Sequence, residues 1–268
     1  MLPRGVSPVN YIDKTPLIRL MPLNSIPSQN DDPEFAAKLR ELVREVCPGV
    51  FVFDLLPIDF CAKLLEEIHH FESWCEQNGK EVHRPNSMNN YGAILDDFGF
   101  EACLEQMISQ FVNVLSYVLF PYIGATLDHH HAFMVEYEMG KDQALSMHVD
   151  DSDVTLNVCL GNTFSNGELL FTGVRCNHHQ STTHPLRGEE CVVEHKVGQA
   201  CIHVGRHRHS AMPITNGQRY NLILWCRSSK FRRLDTMLDC PSWCPISAII
   251  DAQKNEEEDD NNNDASHQ

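Results

Sequence analysis

The chain has 268 residues, of which 42% are hydrophobic and 22% charged, so it can bury the core of one large domain or of two small ones. Its 21 Lys and Arg against 37 Asp and Glu give a formal net charge of -16, which argues against nucleic-acid binding through a broad basic surface. No apolar run approaches the roughly 20 residues of a membrane-spanning helix, and residues 1–16 lack a signal-peptide pattern. We therefore expect an intracellular protein, cytoplasmic or nuclear, without a membrane partner.

The N-terminal third predicts an arm followed by helices. Residues 1–32 contain five prolines and show no periodicity, which indicates a mobile arm. A first helix begins near Asp32 and is stopped by Pro48 and Gly49, a second follows Pro57, and a third spans about 101 to 119. Their apolar faces are formed by Phe35, Leu39, Leu42, Val43 and Val46; by Phe60, Cys61, Leu64, Leu65, Ile68, Phe71 and Cys75; and by Leu104, Met107, Ile108, Phe111, Leu115, Val118 and Leu119. These stripes predict packing surfaces that support the rest of the domain.

From Ala132 onward the pattern is that of short strands separated by turns. The predicted strands are 132–138, 145–150, 153–160, 167–172, 190–197, 199–204, 207–213 and 219–227. No helical pattern separates them, so we expect antiparallel pairing and an α+β fold, a double-stranded β-helix (jelly roll) of about eight strands with N-terminal supporting helices. The barrel, about 132–229, lies within a domain of residues 33–250. A polar loop is predicted at 174–189, and residues 251–268 are expected to form a disordered acidic tail.

The eleven cysteines are odd in number and irregularly spaced, which favours reduced thiols over a disulfide framework. Most are expected to fill the core, as small apolar side chains on helices or strands: Cys61, Cys75, Cys103, Cys159, Cys191 and Cys226. Cys240 and Cys244 form a close pair in a proline-flanked segment, so a zinc clip there is an alternative.

The histidines suggest a metal site inside the barrel. His148 and Asp150 are alternate residues of a predicted strand, so they point to the same side. A third ligand has to come from a facing strand, and His209 is the candidate. Two histidines and one carboxylate with open coordination positions are typical of non-haem Fe(II) oxygenases. His207 competes with His209, because two residues apart on a strand they face the same side.

Arg219 follows His209 by ten residues. If Thr215, Asn216 and Gly217 form the turn of an antiparallel pair, the strand that starts at Arg219 returns beside His209. The guanidinium would then enter the same cavity, where a buried arginine requires a carboxylate partner. The spacing to Arg219 favours His209 over His207 as the third ligand.

At this point the sequence resembles the 2-oxoglutarate and Fe(II)-dependent dioxygenases, and most closely their prolyl 4-hydroxylase and collagen lysyl hydroxylase branch. The stretches that carry the resemblance are Phe133 to Tyr137, His148 to Asn157, His203 to Arg206, His209, and Arg219 with Tyr220. The segment from Arg84 to Asn89 looks like the proteins called 2-oxoglutarate and iron-dependent oxygenase domain-containing. The resemblance covers roughly residues 47–229.

The resemblance implies roles for individual residues. His148, Asp150 and His209 would ligate Fe(II), and Arg219 would bind the distal carboxylate of 2-oxoglutarate. Tyr137 matches the tyrosine that hydrogen-bonds this co-substrate, although a core tyrosine is an equal alternative. Thr155 and Asn157 share a strand face and are further candidates for the pocket. Asn221 stands where many relatives outside this branch have serine, so no co-substrate contact is assigned to it.

The implied reaction consumes O2 and 2-oxoglutarate, releases succinate and CO2, and hydroxylates a C–H bond, with ascorbate as an auxiliary that keeps iron reduced. A Pro or Lys side chain of a protein or peptide is the expected substrate. The alternative is a non-catalytic jelly-roll module with a retained or structural zinc site, for which His203, His207 and His209 are a rival ligand set. The run from His129 to His131 is expected to form an exposed turn, and His178, His179 and His184 to be loop residues.

Overall fold

The computed structural model describes residues 33–176, 178–179 and 185–235, together with Cys244 and Ile246. The predicted arm, residues 1–32, and the predicted tail, residues 251–268, lie outside these ranges, as do His184 and Cys240. Among the described residues, no helix combines the length and the apolar character needed to cross a bilayer.

Two antiparallel sheets form the centre of the domain. The strands are β1 (Arg44–Cys47), β2 (Val50–Asp54), β3 (Gly92–Ile94), β4 (His129–Glu138), β5 (Leu145–His148), β6 (Val154–Gly161), β7 (Phe164–Asn166), β8 (Leu169–Val174), β9 (Glu190–Val193), β10 (Gln199–Val204), β11 (His207–Ala211) and β12 (Ile214–Arg227). The major sheet has the order β1-β2-β10-β6-β12-β4-β3, with β7 paired to β12, and the minor sheet has the order β5-β11-β8-β9. Two such sheets are the double-stranded β-helix that the sequence predicts, and all eight predicted barrel strands are present.

The helices are α1 (Pro33–Leu42), α2 (Ile58–Gln77), α3 (Glu101–Met107), α4 (Asn113–Leu119) and α5 (Ser229–Asp235). The third predicted helix is interrupted by a π-helical turn at Ile108–Val112, which inserts between α3 and α4. Helix α2 packs on β6 of the major sheet, and its buried Cys61, Leu64 and Ile68 belong to the large apolar cluster that also contains Val158. The N-terminal helices therefore support the barrel, as predicted.

The first predicted helix is too long. Helix α1 ends at Leu42, and Val46 lies in β1, which pairs with β2 across a turn that contains Gly49 at φ 76°. The β-branched and aromatic run from Val50 to Phe53 makes a buried strand, so Val46 is recruited by sheet pairing instead of continuing the helix. Strands β1, β2, β3 and β7 were not predicted, because each is only three to five residues long.

The predicted hairpin between His209 and Arg219 is wrong. Residues 214–217 belong to the start of β12 and pair with β7, while β11 pairs with β5 and β8 in the minor sheet. The polypeptide crosses from one sheet to the other at this point, so His209 and Arg219 lie on opposite walls of the barrel. The run from His129 to His131 is also not a turn, because it forms the first three residues of β4.

The expectation of reduced thiols is wrong for one pair. Cys47 of β1 and Cys191 of β9 form a disulfide, with their Cα atoms 6.1 Å apart, because the edge strands of the two sheets meet there. Cys61, Cys75, Cys159 and Cys226 are buried free thiols, whereas Cys103 is half-buried. Burial raises the pKa of Cys61 to about 12, so this side chain packs as a small apolar group, as predicted.

Candidate metal and co-substrate site

Three side chains converge at the edge of the minor sheet. His148 is the last residue of β5, and His209 of β11 is its direct cross-strand partner, so the imidazole centroids lie only 4.3 Å apart. Asp150 lies in the turn just beyond β5, where its backbone N–H donates to the carbonyl of Gly205. Its carboxylate oxygens lie 3.4 Å from His148 Nε2 and 3.7 Å from His209 Nε2. The third candidate ligand therefore comes from the neighbouring strand of the same sheet, not from a facing strand.

Backbone contacts orient both imidazoles. His148 Nδ1 is 2.8 Å from the carbonyl oxygen of Ser146, and His209 Nδ1 is 2.9 Å from that of His207. Each Nδ1–H can donate to its carbonyl, which leaves the Nε2 lone pair directed at Asp150. Histidines that bind metals in proteins make this kind of contact with their second ring nitrogen. The triad thus presents two imidazole nitrogens and one carboxylate to a common point.

The electrostatics of the triad suit a metal ligand set. Burial lowers the pKa of His209 to about 3, so its imidazole is neutral. Burial alone would raise the pKa of Asp150, but His209, His148 and His203 outweigh it and hold that pKa well below its usual range. Metal ions bind neutral imidazole and ionised carboxylate, which are the forms His209 and Asp150 adopt. Burial alone would lower the pKa of His148, but contact with Asp150 outweighs burial and raises that pKa, so a bound metal would replace the proton that Asp150 favours on this imidazole. Two imidazoles and one carboxylate with open positions are the donor set of non-haem Fe(II), so these residues fit that ion.

Thr155 supports the carboxylate. Its Oγ1 donates to Asp150 Oδ2 at 2.6 Å, and it exchanges a second hydrogen bond with Ser152 Oγ at 2.7 Å. Both hydroxyls are buried. The sequence suggested Thr155 as a pocket residue, and the structure places it at the cavity wall with its hydroxyl directed at the candidate ligand.

His203 and His207 lie behind the triad. The ring of His207 packs on Phe171 at 5.0 Å, and the ring of His203 lies 4.8 Å from that of His209. Burial lowers the pKa of His207 to about 2, so it is a neutral core histidine. The cluster that brings potential ligand atoms together contains His209 and neither of these two. The structure thus supports His209 over His207.

Arg219 lies across the cavity on β12 of the major sheet. Its guanidinium is buried, with the residue 1% exposed, and it donates to Asn221 Oδ1 at 2.7 Å and to the carbonyl of Gly167. The charge also lies 5.5 Å from the ring of Tyr137. Among the described residues, no carboxylate lies within 4.0 Å of this guanidinium. A buried cation without a counterion is costly, so the arrangement is suited to bind a carboxylate from outside the protein.

A hydrogen-bonded relay fixes Arg219. Asn221 accepts from Arg219 with its carbonyl oxygen, and its amide donates to Asn157 Oδ1 at 2.6 Å and to His195 Nδ1 at 3.0 Å. His195 Nε2 in turn donates to the carbonyl of Gln199. Burial lowers the pKa of His195 to about 3, so it is neutral and can accept from Asn221. Asn157 is therefore part of the support for Arg219, and the role of His195 was missed because no spacing pattern marks it.

One cavity joins the triad to Arg219. Alternate residues of β12 line it, as strand geometry requires: Arg219, Asn221, Ile223 and Trp225. The rest of the wall is formed by Asn86, Met88, Asn89, Phe133, Val135, Tyr137, Leu145, His148, Asp150, Thr155, Asn157, Leu169, His209 and Ala211. All seven predicted site residues thus line a single cavity. Trp225 and the loop residues Asn86, Met88 and Asn89 were not singled out individually from the sequence.

Tyr137 shares this cavity. Its hydroxyl is 3.5 Å from Asn89 Nδ2, and it is the cross-strand partner of Arg219. Burial raises the pKa of Tyr137, even against the neighbouring charge of Arg219, so the phenol keeps its proton and can donate a hydrogen bond. The buried Nε1 of Trp225 has no partner among the described residues and is a further donor at the cavity wall.

Comparisons with known proteins agree with the predicted family. The family model of the OGFOD2-like domain matches residues 24–125, a range that contains helices α1 to α4 and strands β1 to β3. The chain is 50% identical over 207 residues to the 2-oxoglutarate and iron-dependent oxygenase domain-containing protein CP2 of Arabidopsis thaliana, which covers 76% of this chain and 52% of that protein. It is 39% identical over 194 residues to the human 2-oxoglutarate and iron-dependent oxygenase domain-containing protein 2, covering 72% and 51%. The chain thus spans about half the length of these relatives.

A solved structure confirms the fold. The Trichoplax adhaerens prolyl hydroxylase, crystallised with a peptide fragment of the hypoxia inducible factor oxygen degradation domain, superposes with a TM-score of 0.51. The alignment covers 77% of this chain and 97% of that one at 14% sequence identity. The predicted resemblance to 2-oxoglutarate and Fe(II)-dependent oxygenases is confirmed, and so is the jelly-roll fold class.

Proposed function

We propose that this chain, a homologue of the 2-oxoglutarate and iron-dependent oxygenase domain-containing proteins, is an Fe(II)- and 2-oxoglutarate-dependent dioxygenase that hydroxylates a C–H bond. One observation carries the proposal: a cluster of two imidazoles and a carboxylate shares a cavity with a buried arginine that has no carboxylate partner among the described residues. The first feature suits Fe(II), and the second suits the distal carboxylate of 2-oxoglutarate.

The residues divide the work between the two walls of the cavity. His148, Asp150 and His209 would hold the iron, and Thr155 keeps the Asp150 carboxylate in place through its 2.6 Å hydrogen bond. Bound Fe(II) would supply the activation of O2 that couples decarboxylation of 2-oxoglutarate to oxidation of the substrate. Hydrogen bonds to a metal ligand, such as that of Thr155, tune both the orientation of the ligand and its affinity for the metal.

The major-sheet wall would bind the co-substrate. Arg219 would form a charge-assisted pair with the distal carboxylate, with its guanidinium held by Asn221 and the carbonyl of Gly167. Tyr137 keeps its phenolic proton and can donate to the same carboxylate. Phe133, Ile223 and Leu145 surround the site with apolar surface, which excludes water from the reacting groups.

Uncoupled turnover tests this proposal. Purified protein is supplied with Fe(II), 2-oxoglutarate, ascorbate and O2, and succinate is quantified against time. We expect succinate from the wild type and none from Asp150→Ala, with His207→Ala as a control that retains most of the activity. A folded wild-type protein that binds zinc, forms no succinate and leaves 2-oxoglutarate intact would instead establish the non-catalytic jelly-roll module.

We further propose that the substrate is a Pro or Lys side chain of a protein or peptide. In support, the chain is 27% identical over 190 residues to the human procollagen-lysine,2-oxoglutarate 5-dioxygenase 1, and its net charge of -16 suits a basic peptide. Matched peptide pools that contain or lack proline and lysine would be incubated with the active enzyme. A gain of one oxygen atom on proline or lysine, found by mass spectrometry, is expected. Oxidation confined to other residues would overturn this assignment.

A further inference from the structure

A second cluster of potential metal ligands lies outside the cavity. Cys176 follows β8 at the start of the loop that leads to β9, His179 is three residues further on, and Cys244 comes from the segment beyond α5. His179 Nδ1 lies 3.3 Å from Cys176 Sγ and 3.7 Å from Cys244 Sγ, and all three ligand atoms lie within 4.8 Å of one another. None of these side chains lines the cavity that holds the His148, Asp150 and His209 triad.

The spacing between the atoms matches a tetrahedral zinc site. With Zn–S bonds of about 2.3 Å and Zn–N bonds of about 2.0 Å, tetrahedral angles place sulfur and nitrogen about 3.5 Å apart and two sulfurs about 3.8 Å apart. The observed sulfur to nitrogen distances, 3.3 and 3.7 Å, bracket the first value. Two thiols and an imidazole are a soft donor set, which selects zinc over the oxygen-preferring ions.

Burial and local backbone geometry prepare the cluster. Cys176 is 2% exposed and Cys244 1% exposed, while His179 is half-buried. A turn in which the His179 N–H donates to the Cys176 carbonyl, at 3.1 Å, brings the first two side chains together. The two ligands of the loop are thus presented from one short, hydrogen-bonded stretch of backbone.

The neighbouring residue holds the loop in place. Arg175 is fully buried and makes two 2.7 Å hydrogen bonds to the carboxylate of Glu189, which closes the base of the loop at its other end. The Arg175 backbone N–H donates to the carbonyl of Arg206 in the turn before β11. A pre-positioned ligand lowers the entropy lost on metal binding, so this anchor favours a structural site.

We propose that Cys176, His179 and Cys244 bind a structural zinc ion that ties the loop between β8 and β9 to the segment beyond α5. Within the loop, Cys176-x-x-His179 has the spacing of a zinc-binding pair. The inference does not depend on the proposed oxygenase activity.

Zinc would act as a cross-link between distant parts of the chain. Strand β8 pairs with β11, which carries His209, so a fixed loop after β8 also stabilises the minor sheet. Two thiols and one imidazole outside the cavity distinguish this cluster from the His148, Asp150 and His209 triad.

The test uses the full chain in an Asp150→Ala background, so that metal in the cavity does not contribute. The zinc content of the protein is measured by elemental mass spectrometry after gel filtration. The zinc is then replaced by Co(II), and the absorption spectrum is recorded. We expect one equivalent of zinc, and for Co(II) a sulfur-to-metal charge-transfer band with the strong visible bands of a tetrahedral site. Cys176→Ser should lose both signals, whereas the control Cys103→Ser should keep them.

Cys244→Ser tests the ligand from the segment beyond α5 and should weaken zinc retention against a competing chelator at least tenfold. Should Cys176→Ser fail to fold, the cobalt spectrum of the parent protein still reports whether thiolates bind the metal. Absence of zinc and of the sulfur-to-cobalt band in the folded parent protein would overturn the proposal. A Cys176–Cys244 disulfide in protein purified without reductant but with zinc present would overturn it equally.

Discussion

The two walls of the cavity are built differently. The major sheet contributes long strands, with 14 residues in β12, 10 in β4 and 8 in β6, and helix α2 covers part of its outer face. The minor sheet contributes β5 with 4 residues and β11 with 5 residues, and Asp150 lies in a turn beyond β5. The candidate co-substrate residue Arg219 is thus placed by extended strand pairing, whereas the candidate metal ligands are placed by short elements and by their contacts with each other.

The two walls differ in how much their geometry depends on a bound ligand. Arg219 is already held by Asn221 and Gly167 before any carboxylate binds. The triad, by contrast, brings an ionised Asp150 to two imidazoles through contacts of 3.4 and 3.7 Å, and a metal ion would tighten this arrangement. Thr155 of β6 connects the two walls inside the cavity through its hydrogen bond to Asp150. Variants on the two walls should therefore fail in different ways.

The largest effect is expected from His209→Ala. It removes one of three candidate metal bonds that no other side chain replaces, so Fe(II) binding and succinate formation should both be abolished. His207→Ala is the matched control on the same strand and should lower iron binding only slightly, because His207 packs on Phe171 behind the triad. Iron content after desalting measures both. Loss of iron in His207→Ala with retention in His209→Ala would show that His207, and not His209, is the third ligand.

Arg219→Met removes the candidate carboxylate-binding group from the opposite wall. Fe(II) should stay bound, while the KM for 2-oxoglutarate rises on the order of 30-fold or more, which corresponds to the roughly 2 kcal/mol or more lost when one partner of a buried charge pair is truncated. Arg219→Lys should recover part of this loss, because the charge returns without the planar fork. Steady-state succinate assays with varied 2-oxoglutarate provide the measurement. An unchanged KM in Arg219→Met would remove the role assigned to this arginine.

Thr155→Val removes the side chain that connects the two walls by a hydrogen bond. The nearly isosteric change removes the hydrogen bond to Asp150, and loss of a hydrogen bond to a metal ligand lowers metal affinity by roughly 10- to 100-fold. Ser152→Ala is the control, because Ser152 contacts Thr155 and not the carboxylate. Competition of each variant with a fluorescent iron chelator gives the affinity. Equal affinities for Thr155→Val and the wild type would show that Thr155 does not support the ligand.

The smallest expected effect is in hydrogen exchange. Metal binding should slow exchange of the backbone amides in β5 and β11 and leave those of β6 and β12 nearly unchanged, because only the short strands carry ligands. A redox-inert divalent metal added anaerobically avoids turnover during the labelling. Protection spread evenly over both sheets would mean that the two walls are equally preorganised.

Most of the site could be read from residue spacing along strands. His148 and Asp150, and the alternate residues Thr155 and Asn157, share a side of the barrel because side chains alternate along extended backbone, and this rule is local. His148 pairs with His209 because β5 and β11 are neighbours in the minor sheet, and Arg219 lies opposite because β12 belongs to the major sheet. No local pattern encodes which sheet a strand joins. The seven candidate residues therefore line one cavity although β11 and β12 do not form the expected hairpin.

Other features were out of reach for the same reason. His195 acts through Asn221, and Cys176 lies near Cys244, which is far from it in the sequence. The Cys47–Cys191 disulfide joins residues 144 positions apart at the edges of the two sheets. Short strands such as β3 and β7, each of three residues, depend on the longer neighbours with which they pair, so propensity alone did not predict them.

The central claim is that the triad and Arg219 form one Fe(II) and 2-oxoglutarate site. Anaerobic titration of the Fe(II)-loaded protein with 2-oxoglutarate, followed by visible absorption, tests it most directly. We expect a weak metal-to-ligand charge-transfer band that saturates in the wild type, saturates only at much higher 2-oxoglutarate in Arg219→Met, and is absent in His209→Ala. Failure of the folded, Fe(II)-loaded wild type to develop this band, or an identical titration curve for Arg219→Met, would contradict the account.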